Sequence, residues 1–480
     1  MATRGPRTTI TGSEPAFLSA AASLQAFRGR RMSPLELTTA VLARIEAHNA
    51  AVNAYNLVDA ERALAQARES EDRWAHGRPL GRLDGIPVAI KDVFLTRGWP
   101  TLRGSLTVNP NQAWNDDAPA TRLLRENGAV LLGKTTTPEL GWKAVTDSPL
   151  HGITRNPWDL SRTPGGSSGG SAAALALGMA TLALGTDGGG SIRIPAAFTG
   201  TVGFKPTFGR VPLWPASPFG TLAHAGPMTR TVEDAALMLD VIGRYDPLDW
   251  LALPSETTEY SSTLSGGVAG LRVAYCKSLA GPAVDLDVAA ATDAAARVFE
   301  ELGAAVEEIE PVFEDPLETF SVLWYSGAAY AVSALDQTRR ARMDPGLLQV
   351  VEEAAGYSLM AYLDASAQRS RLAIHMDHFH ERFDLLLTPT VPIAAFEAGR
   401  EVPVNWPSPR WPTWTPFTYP FNLTQQPALS IPCGLTSDGL PIGLQIVGAK
   451  YQDAMVLRAG HAFERARPAH TSLPATSSLK

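Results

Sequence analysis

The stretch IPVAIKDVF, Ile86 to Phe94, reads as a buried strand whose apolar run is broken by a single cation, Lys91. Strands covered on both faces need this kind of continuous β-branched and apolar run. Downstream, Asp117 is placed to cap a helix that Gly128 ends, and AVLLG (129–133) follows as a second strand. The scheme repeats with LRVAY (271–275), a helix from about Val288 to Leu302, and AAVEEIE (304–310). DLLLTPT (384–390) and IGLQIVG (442–448) add further core strands. Upstream, Ser33-Pro34-Leu35-Glu36 forms a capping box, and Leu37, Val41 and Ile45 recur at helical spacing. A second helix, about Ala60 to Trp74, is charged along one side. Strands alternating with helices predict an α/β fold. Its large, mostly parallel or mixed sheet is covered on both faces by helices, with the N-terminal helices packed on it.

Composition narrows the function classes. Of 480 residues 45% are hydrophobic and 19% charged, an ordinary globular balance. The net charge is -7 with scattered basic residues, which argues against a nucleic-acid partner. Cys276 and Cys433 lack metal or redox spacing and read as free, buried thiols of a reducing compartment. The opening MATRGPRTTITGSEPAF lacks the apolar core of a secretion signal. The run Ala172–Gly185 is too short and too rich in Ala and Gly to span a bilayer. These features predict a cytoplasmic protein with no membrane partner, and no internal repeat is present.

Three segments can carry chemistry. Gly165-Gly166-Ser167-Ser168-Gly169 satisfies the G-x-S-x-G nucleophile elbow, but the preceding NPWDLSRTP reads as loop where that elbow needs a strand. A glycine-rich turn ahead of a helix fits equally well. In GTDGGGSIRIPAA (185–197), consecutive glycines let backbone N–H groups converge on one point. A phosphate loop would want a following Lys-Ser/Thr, which is absent. An oxyanion cradle wants a nucleophile beside it, and Ser191 stands there; the alternative is a flexible turn. Lys91 either snorkels to solvent or, if buried, loses its proton easily enough to serve as a base. His375, His378 and His380 form H-x-x-H-x-H. On a helix the first two share a face and the third points about 140° away. A solvated helix face explains them better than a metal site.

Between Trp406 and Asn422, WPSPRWPTWTPFTYPFN alternates prolines with aromatics. Proline rules out regular helix there, so the segment reads as an ordered loop whose rings pack on something apolar.

Together GGSSGGS, GTDGGGSIRIPAA and GIPVAIKD resemble the signature elements of the amidase signature hydrolases, and Ser167 and Ser191 are 24 positions apart as in that family. TRNPWDLSRTPGGSSGGSAAA, GFKPTFGR, GPMTRTVEDAALMLDVI and LPIGLQIVG extend the similarity from about residue 15 to 465. The resemblance implies the amidase signature fold as one domain over 1–480. Its parts are a helical section at about 15–80, a signature core at about 81–245, and the rest of the sheet with substrate loops at about 246–470. It implies a Ser–cisSer–Lys triad, with Ser191 as nucleophile, Ser167 on a cis peptide bond as proton relay, and Lys91 as base. Backbone N–H groups of Gly188, Gly189, Gly190 and Ser191 would form the oxyanion hole. Ser168, Ser171, Asp187 and Arg193 would support them, with no metal and no cofactor. The implied activity is amide hydrolysis through an acyl-enzyme, extending to esters and aryl carbamates (urethanes).

Two readings within the family differ in substrate. In the glutaminase component of glutamyl-tRNA amidotransferase, glutamine is held by an arginine in a glycine- and tyrosine-rich segment and by an aspartate shortly before the Asn-Leu pair. Counting back from Asn422-Leu423 puts Thr415 at that aspartate's place, and Tyr330–Gly346 lacks the arginine segment. An aromatic mouth made of Trp411, Trp414 and Phe417 beside Thr415 favours apolar or aryl small-molecule substrates of a stand-alone amidase, monomeric or homodimeric. Outside the family, an α/β-hydrolase would pair Ser167 or Ser168 with Asp384 and His461. A non-catalytic binding protein is the remaining alternative, and the presence of all three triad residues speaks against it.

Overall fold

The computed structural model of the chain describes residues 14–279 and 281–467. The opening stretch read as lacking a secretion signal therefore lies, up to residue 13, outside the described residues. One eleven-stranded sheet runs through the molecule. Its order from edge to edge is Tyr55–Val58, Val130–Thr135, Pro87–Lys91, Leu182–Asp187, His224–Thr229, Val202–Lys205, Ala428–Leu435, Pro441–Gly448, Leu385–Pro389, Arg272–Tyr275 and Ala305–Glu308. The sheet is mixed. Pro87–Lys91 is parallel to both neighbours, Val130–Thr135 and Leu182–Asp187, whereas the central strands from Leu182–Asp187 to Leu385–Pro389 pair antiparallel. The far edge turns parallel again.

The capping box is present: Ser33 and Glu36 reciprocally close the start of Pro34–Val52, whose Leu37, Val41 and Ile45 are buried. The Asp59 side chain likewise accepts an N–H at the start of the helix Ala60–Ala75. Asp117 does not cap. The helix Pro119–Glu126 has Ala118 at its N-cap, because Pro119 takes the first helical position and supplies no N–H there. The Asp117 carboxylate instead forms a bidentate pair with Arg125 and accepts the Arg97 N–H.

The strand in Ile86–Phe94 ends at Lys91, so the cation closes the strand rather than interrupting it. Three further strands, Leu182–Asp187, Val202–Lys205 and His224–Thr229, are too glycine-bearing or short to be read from periodicity. The Trp406–Asn422 segment contains a 3-10 turn, Trp411–Trp414, and a one-turn helix, Pro420–Leu423, each with proline in its first two positions. Cys276 is buried but Cys433 only partly so, since the latter lies near the end of Ala428–Leu435 where that strand reaches the surface. Among the described residues no helix is long and apolar enough to cross a membrane.

Candidate active site

The parallel strands Pro87–Lys91 and Leu182–Asp187 end side by side, and ligand sites of α/β sheets gather at such carboxyl ends. Lys91 closes the first. Its Nζ lies 2.7 Å from Ser167 Oγ, 2.9 Å from Ser168 Oγ and 2.8 Å from Thr186 Oγ1. The side chain is fully buried, and among the described residues no carboxylate touches it. Burial pushes its pKa well below the ordinary lysine value, opposed in part by the charge of Asp187. Ser167 sits on a cis peptide bond with Gly166. No strand precedes it, and the helix Gly169–Ala176 begins right after Ser168, so the nucleophile-elbow geometry is absent.

Leu182–Asp187 delivers the second loop. The Ser168 N–H donates to the Ser191 carbonyl at 3.1 Å and ties the two serine loops together. Among the described residues the N–H groups of Gly188, Gly189 and Ser191 have no acceptor, and the Ser191 hydroxyl has no partner. Gly190 differs from expectation: its N–H donates to Asp187 Oδ1 at 2.8 Å, which takes it out of an oxyanion hole. Close packing explains the glycines. A Cβ on Gly188 would stand 2.6 Å from Trp324 Cζ3, and one on Gly189 would stand 2.8 Å from both Phe320 Cζ and Trp411 Cη2.

Behind the loop, Asp187 and Arg193 form a fully buried bidentate pair, 2.9 Å at each contact. The other Arg193 donors go to Asn422 Oδ1, Gln445 Oε1 and the Thr418 carbonyl, so all five are used. This guanidinium holds the Asp187 carboxyl well below the usual carboxylate range against the cost of burial. Ser171 bonds Thr135 at 2.7 Å, under the Lys91 strand. On the opposite side Gly141 faces Ser167: a Cβ there would lie 3.4 Å from Ser167 Oγ.

Of the four aromatic-segment residues singled out from sequence, only Trp411 reaches the glycine loop. Trp414 stacks on Phe198 at 5.9 Å and donates to the Glu401 carbonyl. Phe417 is buried in a separate cluster with Leu386 and Cys276. The Thr415 hydroxyl donates to the Pro412 carbonyl. These three are fully buried in the core, away from the glycine loop. Phe320 and Trp324, on the helix Leu317–Val332, take their place beside Trp411, and Phe219 stacks on Trp324 at 3.8 Å.

Asp384 pairs with Arg272, and the His461 ring bonds the Leu264 carbonyl, so neither joins the serines. His375 and His378 are exposed on the helix Leu359–Arg382, whereas His380 turns inward to Gln426.

A sequence profile described as Amidase matches residues 36–457. The chain belongs to the amidase signature family. An acylamidase of Rhodococcus erythropolis is 38% identical over 474 residues, covering 96% of this chain and 98% of the relative. The A-type subunit of the glutamyl-tRNA(Gln) amidotransferase from Chloroflexus aggregans (strain MD-66 / DSM 9485) is 37% identical over 483 residues, covering 95% and 98%. The crystal structure of a bacterial aryl acylamidase of the amidase signature family superposes with a TM-score of 0.88 at 31% identity, covering 96% of this chain and 98% of that one. As a member of this family the chain is an enzyme that hydrolyses amides.

Several residues that build this candidate site are not singled out by the sequence reading. Thr186 lies within the glycine stretch and is detectable as the hydroxyl beside Asp187. Gln445 lies within LPIGLQIVG without its role being marked there, and Phe320, Trp324 and Thr418 carry no local signal, because only tertiary packing brings them to the loop.

Proposed function

We propose that this enzyme cleaves amide bonds of apolar or aromatic substrates, and also esters and aryl carbamates, through Lys91, Ser167 and Ser191 and an acyl-enzyme. The observation that carries the reading is the Lys91 amine at 2.7 Å from Ser167 beside a loop with unpaired N–H donors. A neutral amine has two N–H donors and one lone pair. Ser168 already donates its hydroxyl to the Thr186 carbonyl, so Ser168 and Thr186 suit the two N–H groups as acceptors. The lone pair is left for the Ser167 O–H. Ser167 Oγ then accepts the proton of Ser191 as that oxygen attacks the substrate carbonyl. The tetrahedral oxygen would take N–H groups of Gly188, Gly189 and Ser191. Collapse expels the amine, protonated back through Ser167, and water repeats the cycle on the ester.

For substrate class, the aryl reading is supported by the rings of Phe320, Trp324 and Trp411 packed on the glycine loop. Burying an aryl group against such a surface contributes about 1.5–3 kcal/mol. Glutamine would meet no carboxylate at Thr415, whose hydroxyl is already spent on the chain. The expected result is that Ser191→Ala stays folded and turns over no anilide, while an active-site label attaches to Ser191 of the wild type. The wild type should hydrolyse an anilide faster than glutamine. A label on Ser168, or preference for glutamine, overturns the corresponding part.

A further inference from the structure

Glu401 lies outside every signature segment, yet it touches what holds the glycine loop. Its Oε1 accepts the Trp411 N–H at 3.0 Å, and its carbonyl accepts Trp414 Nε1–H at 3.0 Å. The Trp411 indole runs from there to Gly189, where its Cη2 leaves no room for a Cβ. The other carboxyl oxygen, Oε2, lies 3.1 Å from the point where a Cβ on Gly346 would stand, and Trp142 Cζ2 lies 2.9 Å from the same point. Trp142 follows Gly141, the residue facing Ser167, and its carbonyl accepts Trp324 Nε1–H at 2.9 Å. The Glu401 carboxyl group thus holds the Trp411 backbone N–H with one oxygen, while its other oxygen and the Trp142 ring both border Gly346.

We infer that Glu401 is a positioning residue, which through Trp411 fixes Gly189 and with it the donors offered to the oxyanion; the inference rests on Ser191 acting as the nucleophile. A carboxylate accepts an N–H more strongly than a neutral carboxyl group does, so the hold is firm when Glu401 is ionised and slack when it is protonated. Burial pushes the Glu401 carboxyl up to about 7, so the change falls in the neutral range. The charged and titratable groups around it are Lys143, Asp344 and Arg410, with Tyr325 on the neighbouring helix Leu317–Val332. Lys143 is itself held between Asp147 at 2.7 Å and Asp344 at 2.8 Å, so it is not free to pair with Glu401.

Glu401→Gln keeps an oxygen acceptor for Trp411 and removes the ionisation. Its kcat on an anilide at pH 8 should fall about 3- to 10-fold, with KM within about twofold, as loss of a charge-assisted bond predicts. Its pH–kcat profile should lose one neutral-range ionisation and keep the one due to Lys91. Independently of turnover, tryptophan fluorescence of the wild type should titrate near neutrality, and the step should vanish in both Glu401→Gln and Trp411→Phe. A fluorescence step retained in Glu401→Gln overturns the inference, as does a change confined to KM or a superimposable pH profile. If the wild type hydrolyses no amide or ester at all, the functional reading fails, and the fluorescence comparison still decides the role of Glu401.

Discussion

Lys91 and Lys134 end up on neighbouring parallel strands, both with no exposed surface, and their surroundings divide them. In the register Ile90 pairs Lys134 and Lys91 pairs Thr135, so the two side chains leave the sheet on opposite faces. Lys134 meets the Phe94 carbonyl, Thr101 Oγ1 at 3.0 Å, and Asp92 Oδ1 at 3.8 Å. Burial lowers its pKa to about 8, with Asp92 holding it from going further. Lys91 is solvated by three hydroxyls without a carboxylate beside it, and burial pushes its pKa well below the ordinary lysine value. The proposed base is thus surrounded by hydroxyls alone, whereas Lys134 also has a backbone carbonyl and a carboxylate counter-charge beside it.

The largest expected contrast comes from replacing each lysine by methionine. Lys91→Met should lose about 10³–10⁴-fold in kcat, as removal of a general base does. It should change stability by less than about 1 kcal/mol, since relief of desolvation offsets the lost hydroxyl contacts. Lys134→Met should behave in the reverse way: it takes the fully buried cation from Asp92, leaving Arg103 and His151 near that carboxylate, and costs about 3 kcal/mol. Its folded fraction should keep turnover near that of the wild type. Chemical denaturation and kcat on the same samples test both, and equal loss of stability in the two variants breaks the comparison.

Next in size is the pH dependence. An ammonium has no lone pair, so with Lys91 as the base kcat should fall as pH drops through its lowered pKa and level off above it. The sign for stability is the same. A lysine whose folded pKa lies below its unfolded one leaves the folded state with fewer protons in the window between them. Stability is therefore full above the unfolded value and is lost as pH falls toward the folded one, about 8 for Lys134. Denaturant midpoints of wild type and Lys134→Met, measured from about pH 7 to 10.5, should draw apart as pH rises through that window. Parallel curves would contradict the assigned shift.

The smallest effect belongs to Thr186→Val, which removes one of the three oxygens around Lys91 Nζ. Loss of about 1 kcal/mol of orientation gives a drop of about fivefold in kcat. Because that oxygen also stabilises the cation, the acidic limb should move to lower pH. A limb moved upward would show that Thr186 does not accept from Lys91.

Much of this site was legible in the sequence, for a physical reason. Ser167, Ser191 and Lys91 lie in long motifs whose glycines and order leave few alternatives, and the strand Pro87–Lys91 announces itself by apolar β-branched residues. What escaped was direction. The aromatic content of Trp406–Asn422 foretold burial, but only tertiary packing sends Trp411 to Gly189 and Phe417 to the opposite cluster. The helix Leu317–Val332 is apolar on several sides, because it packs on more than one layer, so no periodic face marks Phe320 and Trp324. Likewise four N–H groups in a motif look equivalent until Asp187 is seen to claim that of Gly190.

The five-donor saturation of Arg193 has a consequence for recombining this enzyme with its relatives. Its partners come from the strand end at Asp187, from Thr418 and Asn422, and from Gln445, so the set joins segments far apart in the chain. A crossover placed anywhere between the glycine loop and residue 418 splits that set between two parents. Hybrids whose C-terminal parent supplies Asn and Gln at those positions keep the guanidinium satisfied. Those that do not bury an unpaired donor beside the Ser191 loop, so permissible breakpoints are dictated by two side chains rather than by overall identity.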